Sequence, residues 1–92
     1  MIVNVQTLDA EQIGEKITAY LLVGTQVGKG EETLAKLRAV AHVTGAYPVF
    51  GEYDIIVEMK CINLSVLDAS ITATKRIDHV MRVMPLIAAK QC

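Results

Sequence analysis

The residues with the most specific chemistry lie in the run YPVFGEYDIIVEM, at positions 47–59. Between its two apolar stretches stand Gly51, Glu52, Tyr53 and Asp54. An ionised Asp54 offers only hydrogen-bond acceptors, so its carboxylate could bind an ammonium group. Gly51 lets the backbone approach a ligand closely and can leave its N–H free for a carboxylate, while Tyr53 could wall the pocket. These residues predict a binding site for a small molecule that carries both charges.

A structural role for the same residues stays open at this point. Gly51 could supply a positive φ in a turn, and Asp54 could cap the hairpin through its own backbone. Side-chain turns of this kind are common, so the residue types alone favour the structural role.

Other reactive residues lack partners at a useful spacing. His42 falls where a helix should end, which suits a solvated cap. His79 follows Asp78, but adjacent side chains rarely point together, and without a third ligand we expect no metal site. The run Gly-Lys-Gly at 28–30 lacks the spacing and the following Ser or Thr of a phosphate loop.

The sequence shows no nucleophile paired with a base, as nucleophilic catalysis requires. Ser65 and Ser70 lie on a predicted helix with no base beside them, so we expect neither an enzyme nor a cofactor. Cys61 and Cys92 give no metal spacing and no disulfide framework, which is typical of a reduced cytoplasmic protein.

Length and composition indicate one domain with surplus apolar surface. The chain has 92 residues, is 52% hydrophobic and carries a net charge of −1. Its apolar runs are far shorter than the roughly 20 residues that span a bilayer, and it has no secretory start. The nine Lys and Arg residues are scattered, which argues against direct nucleic-acid binding. The surplus apolar surface therefore predicts association with another chain.

Hydropathy periods predict six elements. In chain order they are a strand at 17–23, a helix from 31 to about 42, strands at 46–50 and 53–60, a helix after Asn63, and a strand at 80–89. A tight connection at residues 51–52 should join the second and third strands, and residues 78–79 should form the last turn. Asn63 suits an N-cap. The buried side of its helix should hold Leu64, Leu67, Ile71 and Thr74.

The order β-α-β-β-α-β predicts an α+β, ferredoxin-like sandwich. Right-handed crossovers give the sheet order 4-1-3-2, with the second and fourth strands at the edges. The two prolines, Pro48 and Pro85, fall in those strands, and proline belongs on edges.

Both helices should cover one face of the sheet and leave the other face apolar at its centre. Burying about 600 Å² of that face gives roughly 15 kcal/mol gross, against an association cost of about 4–15 kcal/mol. We therefore expect a homodimer packed sheet to sheet.

At residues 17–89 the chain resembles the ligand-binding (RAM) domain of Lrp/AsnC-type regulators. The resemblance rests on VGKGEETLAKLRAV, on AYPVFGEYDIIVEM with its Gly51-x-Tyr53-Asp54 motif, and on NLSVLDASITATKRIDHVMRVMPLIA. Gly28, at the loop before the first helix, supports it. The resemblance implies a RAM domain at residues 17–92 behind an N-terminal arm at 1–16, in a stand-alone form without the family's helix-turn-helix.

The resemblance also implies a function. Family members form dimers through a shared α/β barrel and assemble into rings, here an octamer or decamer, and amino acids bind between dimers. The implied role is a sensor in the regulation of amino-acid metabolism that co-assembles with full-length Lrp/AsnC regulators. Val27 departs from a frequent family proline. Val83 and Pro85 replace frequent threonines, which removes hydroxyl donors for a ligand.

Two other functions stay open. Dimeric ferredoxin-like barrels also house cofactor-independent enzymes, an analogy of fold only. That function predicts an enclosed pocket with His42 or His79 beside a carboxylate. A purely structural oligomerisation module is the third possibility.

Overall fold

The order of elements matches the predicted α+β, ferredoxin-like class. A computed structural model describes residues 17–88; the predicted arm at 1–16 and Cys92 lie outside the described residues. The elements are β1 (Ile17–Thr25), α1 (Gly30–Arg38), β2 (Val43–Pro48), β3 (Ile55–Cys61), α2 (Leu64–Lys75) and β4 (Val80–Ile87). The predicted fold class is confirmed.

The four strands form one antiparallel sheet in the order β2-β3-β1-β4. β1 is central, and its Leu21 lies opposite Val57 on β3 and Pro85 on β4. The predicted strand order is therefore confirmed. Pro48 and Pro85 both lie on edge strands, where a missing N–H costs the sheet least.

The core lies between the two helices and one face of the sheet. Alternate residues of β1, Ala19, Leu21 and Val23, have no exposed surface, as expected for a strand with one covered face. Leu37 of α1 and Leu67 of α2 cover them, at 0% and 2% exposure. The core cluster is completed by Ala46, Ile55, Val57, Met59 and Cys61.

The opposite face of the sheet is uncovered. Register places Leu22 opposite Ile56 on β3 and Met84 on β4, and Tyr20 opposite Leu86. Met84 and Leu86 are 45% and 49% exposed. The predicted apolar centre of this face is confirmed, and we call Tyr20, Leu22, Ile56, Met84 and Leu86 the open sheet face.

Helix α1 ends earlier than predicted, at Arg38 instead of near residue 42. The next amides bond in the tighter 3₁₀ manner, Ala39 N–H to Lys36 and Val40 N–H to Leu37. His42 then adopts φ 73°, which directs the chain into β2 at Val43. This early end is not predictable from residue types, because a histidine and not a glycine occupies the left-handed position.

The predicted tight hairpin at residues 51–52 is wrong. β2 ends at Pro48 and β3 begins at Ile55, so residues 49–54 form a longer loop. The N–H of Val49 donates to the carbonyl of Asp54 at 2.9 Å and closes it. Asp54 therefore lies just before the strand and not inside it.

Helix α2 begins where predicted. Asn63 Oδ1 accepts the N–H of Val66 at 2.8 Å and caps it. Its buried side differs in part from the prediction. Leu67 and Thr74 are buried as expected and Ser70 is buried as well, whereas Ile71 is partly buried and Leu64 in the first turn is 62% exposed.

Candidate functional site

The loop at residues 49–54 is attached to the carboxyl end of the central strand. The N–H of Asp54 donates to the carbonyl of Val23 at 2.9 Å. In return, Asp54 Oδ2 accepts the N–H of Thr25 at 2.7 Å. β1 has a register shift between Gly24 and Thr25, so the carboxylate binds an amide that the sheet ladder leaves free.

Asp54 thus has a structural partner that sequence reasoning did not foresee. Its carboxylate caps the neighbouring strand through Thr25, whereas the loop itself is closed by the Asp54 backbone carbonyl. Only Oδ2 is used in that bond. The position is exposed, and so the other oxygen can accept a further donor.

Gly51 has φ +126°, a conformation that L side chains rarely adopt. A Cβ built at this residue would meet nothing within 4 Å. The glycine is therefore required by the backbone conformation, and the space beside it is open. Both suggested roles of Gly51, a positive φ and access for a ligand, are compatible with this geometry.

Arg82 of β4 reaches the same loop, and sequence reasoning missed it. Its Nη2 donates to the carbonyl of Glu52 at 2.6 Å. Its guanidinium lies over the ring of Tyr53, 4.7 Å from the centroid. The sequence predicted the loop residues but offered no signal for a partner on another strand.

The path of Arg82 to the loop depends on Gly24. The two residues are partners in the β1–β4 register. A Cβ at Gly24 would stand 2.9 Å from Arg82 Nε, closer than real Cβ contacts come. A glycine inside a strand often marks such a close approach. With the register known, Gly24 would have pointed to Arg82.

The side chain of His79 binds two residues outside this loop. His79 has φ 74°, and its ring stands between Gln26 Oε1, at 2.8 Å from Nδ1, and Glu32 Oε2, at 3.4 Å from Nε2. Glu32 also faces Lys29 and Lys36 at 3.9 and 3.8 Å. This is a surface charge cluster at the start of α1, and it stabilises the predicted turn at residues 78–79.

Two surface hollows are open to solvent, with volumes of about 300 and 350 Å³. The first lies along β2, and Arg38 donates to the Ala46 carbonyl at its floor. The second is an apolar groove between the helices that includes His42 but no carboxylate. Neither hollow contains residues 51–54. The pairing of a histidine with a carboxylate in an enclosed pocket, expected of an enzyme, is not found in these hollows.

On the open sheet face, Glu58 is held by two hydroxyl groups. Thr44 Oγ1 donates to Glu58 Oε1 at 2.7 Å, and Tyr20 Oη donates to Oε2 at 3.2 Å. These bonds, from Thr44 first and then Tyr20, lower the pKa of Glu58, aided by the charge of Lys60. The bond to Glu58 and its negative charge raise the pKa of Tyr20.

The described residues also limit other chemistry. Among residues 17–88, no three His, Cys, Asp or Glu side chains come together as metal ligands. Cys61 is a buried free thiol. Neither described helix is long and apolar enough to traverse a lipid bilayer.

Solved structures give close matches. The hypothetical protein PHS023 from Pyrococcus horikoshii has 36% identity and a TM-score of 0.75, covering 82% of this chain and 92% of that one. FFRP-DM1 has 36% identity and a TM-score of 0.75, covering 79% of this chain and 99% of that one. The chain belongs to the Lrp/AsnC family. No family model matches it, and neither does any curated protein.

A more distant Lrp/AsnC protein shows the same fold. Escherichia coli AsnC has 22% identity and a TM-score of 0.77, covering 99% of this chain but 60% of its own length. Transcriptional regulators of the AsnC family are among the structures with this fold. The predicted RAM-type resemblance is confirmed.

Proposed function

We propose that this domain is a non-enzymatic, homo-oligomeric sensor of amino acids. It binds a free amino acid at Gly51, Glu52, Tyr53 and Asp54. It acts on transcription of amino-acid metabolism by co-assembling with DNA-binding Lrp/AsnC regulators, without contacting nucleic acid itself. The observation that carries the proposal is the loop at residues 49–54, where open space at Gly51 adjoins a fixed carboxylate. Membership of a family of regulators supports the regulatory part.

The proposed site is completed by a second copy of the chain. Residues 51–54 line neither of the two hollows described above, and the space beside Gly51 is open, so the proposed site gains its remaining walls from a second subunit. The open sheet face supports pairing of two copies into a dimeric α/β barrel, since its Met84 and Leu86 side chains are about half exposed. Further contacts between dimers would close a ring, an octamer or decamer, and enclose the ligand between them. We place this assembly in the cytoplasm.

Calorimetric titration of the full chain with each of the twenty L-amino acids tests the sensor function. We expect saturable heat with at least one of them. Asp54→Asn should weaken that binding about 10-fold or more, because the ammonium loses a charged partner. Asparagine keeps an oxygen for the Thr25 N–H, so the variant should stay folded.

Asp68→Asn is the matched control, because Asp68 is an exposed carboxylate on α2, outside the loop. It should bind like the wild type. Absence of heat with every amino acid would refute the sensor function. Equal binding by wild type and Asp54→Asn would remove Asp54 from the site.

A second candidate function is a purely structural oligomerisation module. The observation that favours it is the bond between Asp54 and Thr25, which gives the carboxylate a role without any ligand. This candidate predicts that Asp54→Asn leaves both assembly and all amino-acid responses unchanged.

A further inference from the structure

Arg82 is held in place by three features of one surface. The Glu52 carbonyl accepts its Nη2 at 2.6 Å, and the Tyr53 ring lies 4.7 Å beneath the guanidinium. Gly24 leaves the room through which the side chain crosses β1. An arginine fixed in this way loses little conformational entropy when it binds an anion.

The charge of Arg82 has no ionic partner among residues 17–88. The salt bridges of that region join Lys29, Lys36 and His79 to acids on α1 and at residue 78. Neither Arg82 nor Asp54 takes part. Of the five N–H groups of a guanidinium, one is donated to Glu52, so others can serve a ligand.

Arg82 contacts the loop close to Asp54. Arg82 bonds to the backbone carbonyl of Glu52, and Asp54 is two residues further along the chain. The Cα atoms of Glu52 and Asp54 therefore lie within about 7 Å of each other. The side chains make no salt bridge with each other. One cation and one anion without ionic partners thus reach the same short loop, and together they offer a group for the carboxylate and a group for the ammonium of one zwitterion.

We infer that Arg82 is the anchor for the α-carboxylate of the amino acid, with Asp54 holding the ammonium group. This inference rests on the proposed sensor function and adds a residue from outside the loop. It shifts the main carboxylate contact from the Gly51 N–H to a guanidinium. Arginine binds carboxylates in a bidentate manner, which also fixes the orientation of the ligand.

The test compares each amino acid that binds with its own carboxamide, by titration at about pH 6.5, where both α-amino groups are largely protonated. The wild type should bind the carboxamide about 10- to 100-fold more weakly, the loss expected for charge-assisted hydrogen bonds. Arg82→Gln should weaken binding of the acid by a similar factor and alter carboxamide binding less than about 3-fold.

Two further variants separate anchoring from loop support. Gly24→Ala keeps every charge but displaces the guanidinium, so it should also weaken acid binding more than carboxamide binding. Arg76→Gln is the matched control, because Arg76 is an exposed arginine at the end of α2. It should leave both ligands unaffected.

The outcomes are distinct. Equal affinity of the wild type for acid and carboxamide refutes the anchor even if no variant folds. Parallel losses of both ligands in Arg82→Gln assign Arg82 to loop support and also refute it, while the sensor function stands. If no amino acid binds the wild type, the sensor function falls and the anchor falls with it.

Discussion

Glu58 is a charged residue on an apolar surface, and its neighbours explain how it is tolerated. Two hydroxyl groups, from Thr44 and Tyr20, occupy one carboxylate oxygen each. Charged groups on such surfaces are retained when hydrogen bonds satisfy them. The arrangement couples the ionisation of Glu58 to that of Tyr20, whose pKa the carboxylate raises.

Stability should therefore depend on pH at both extremes. The pKa of Glu58 is lowered from 4.5, so its stabilising contribution is present above pH 4.5 and is lost as the pH falls through the folded value. The pKa of Tyr20 is raised from 10.0, so its contribution is present below pH 10 and is lost as the pH rises through the folded value. Both side chains are partly exposed, so solvent screening keeps the effects small.

Urea denaturation at a series of pH values, at fixed protein concentration, measures this dependence. Glu58→Gln should flatten the loss of stability below pH 4.5 and reduce the loss above pH 10. Tyr20→Phe should abolish the alkaline loss attributed to Tyr20 and leave most of the acid loss, because Thr44 still donates to Glu58. If Glu58→Gln lost as much stability below pH 4.5 as the wild type, the acid-side dependence would not come from Glu58.

At this scale the sequence signal is local. Gly51, Tyr53 and Asp54 were singled out because a glycine and a carboxylate stand together between apolar stretches, and their binding role stays a prediction. Arg82 was missed, and so was Thr25 as the partner of Asp54. Both contacts join residues far apart in the chain and follow from strand register and a bulge, which a single sequence does not specify.

The ends of the two helices differ in how well the sequence specifies them. α2 begins after Asn63, whose side chain caps the Val66 N–H, and such caps have a strong residue preference. α1 ends at Arg38 although the apolar spacing continues to residue 41. There the chain turns at His42 with φ 73°, and a histidine carries no clear stop signal.

The cap at Asn63 allows a direct test at the level of the element. Asn63→Ala should lower the free energy of unfolding by about 1 kcal/mol, because the Val66 N–H loses its acceptor. Asn63→Asp should remain close to the wild type, since aspartate caps equally well and suits the helix dipole. Urea denaturation at one protein concentration measures both. Equal losses in the two variants would contradict the capping role.

At the scale of the whole molecule, the two faces of the sheet have different environments. One is sealed by the helices, with Leu21, Val57 and Met59 completely buried. The other leaves Leu86 and Met84 about half exposed. An apolar surface of this kind on a small domain favours association, and the resemblance to Lrp/AsnC proteins led to the same expectation.

A charge on the open sheet face should therefore prevent association. Leu86→Lys places an ammonium opposite Tyr20, where a partner copy would have to desolvate it. We expect the wild type to sediment as a dimer or larger and Leu86→Lys as a 10.0 kDa monomer. Ala35→Lys adds the same charge on the exposed side of α1 and should assemble normally. A wild type that sediments as a stable monomer at low protein concentration would contradict association through the open sheet face.

Pro48 and Pro85 give the sheet a further property. Each edge strand contains one residue without an amide hydrogen. A further strand that added to either edge of the sheet would therefore lack one hydrogen bond there. Open-ended growth into amyloid-like sheets is therefore disfavoured. Copies of the chain that associate through the open sheet face bury that face in doing so. Their association would therefore end at a small oligomer of defined size.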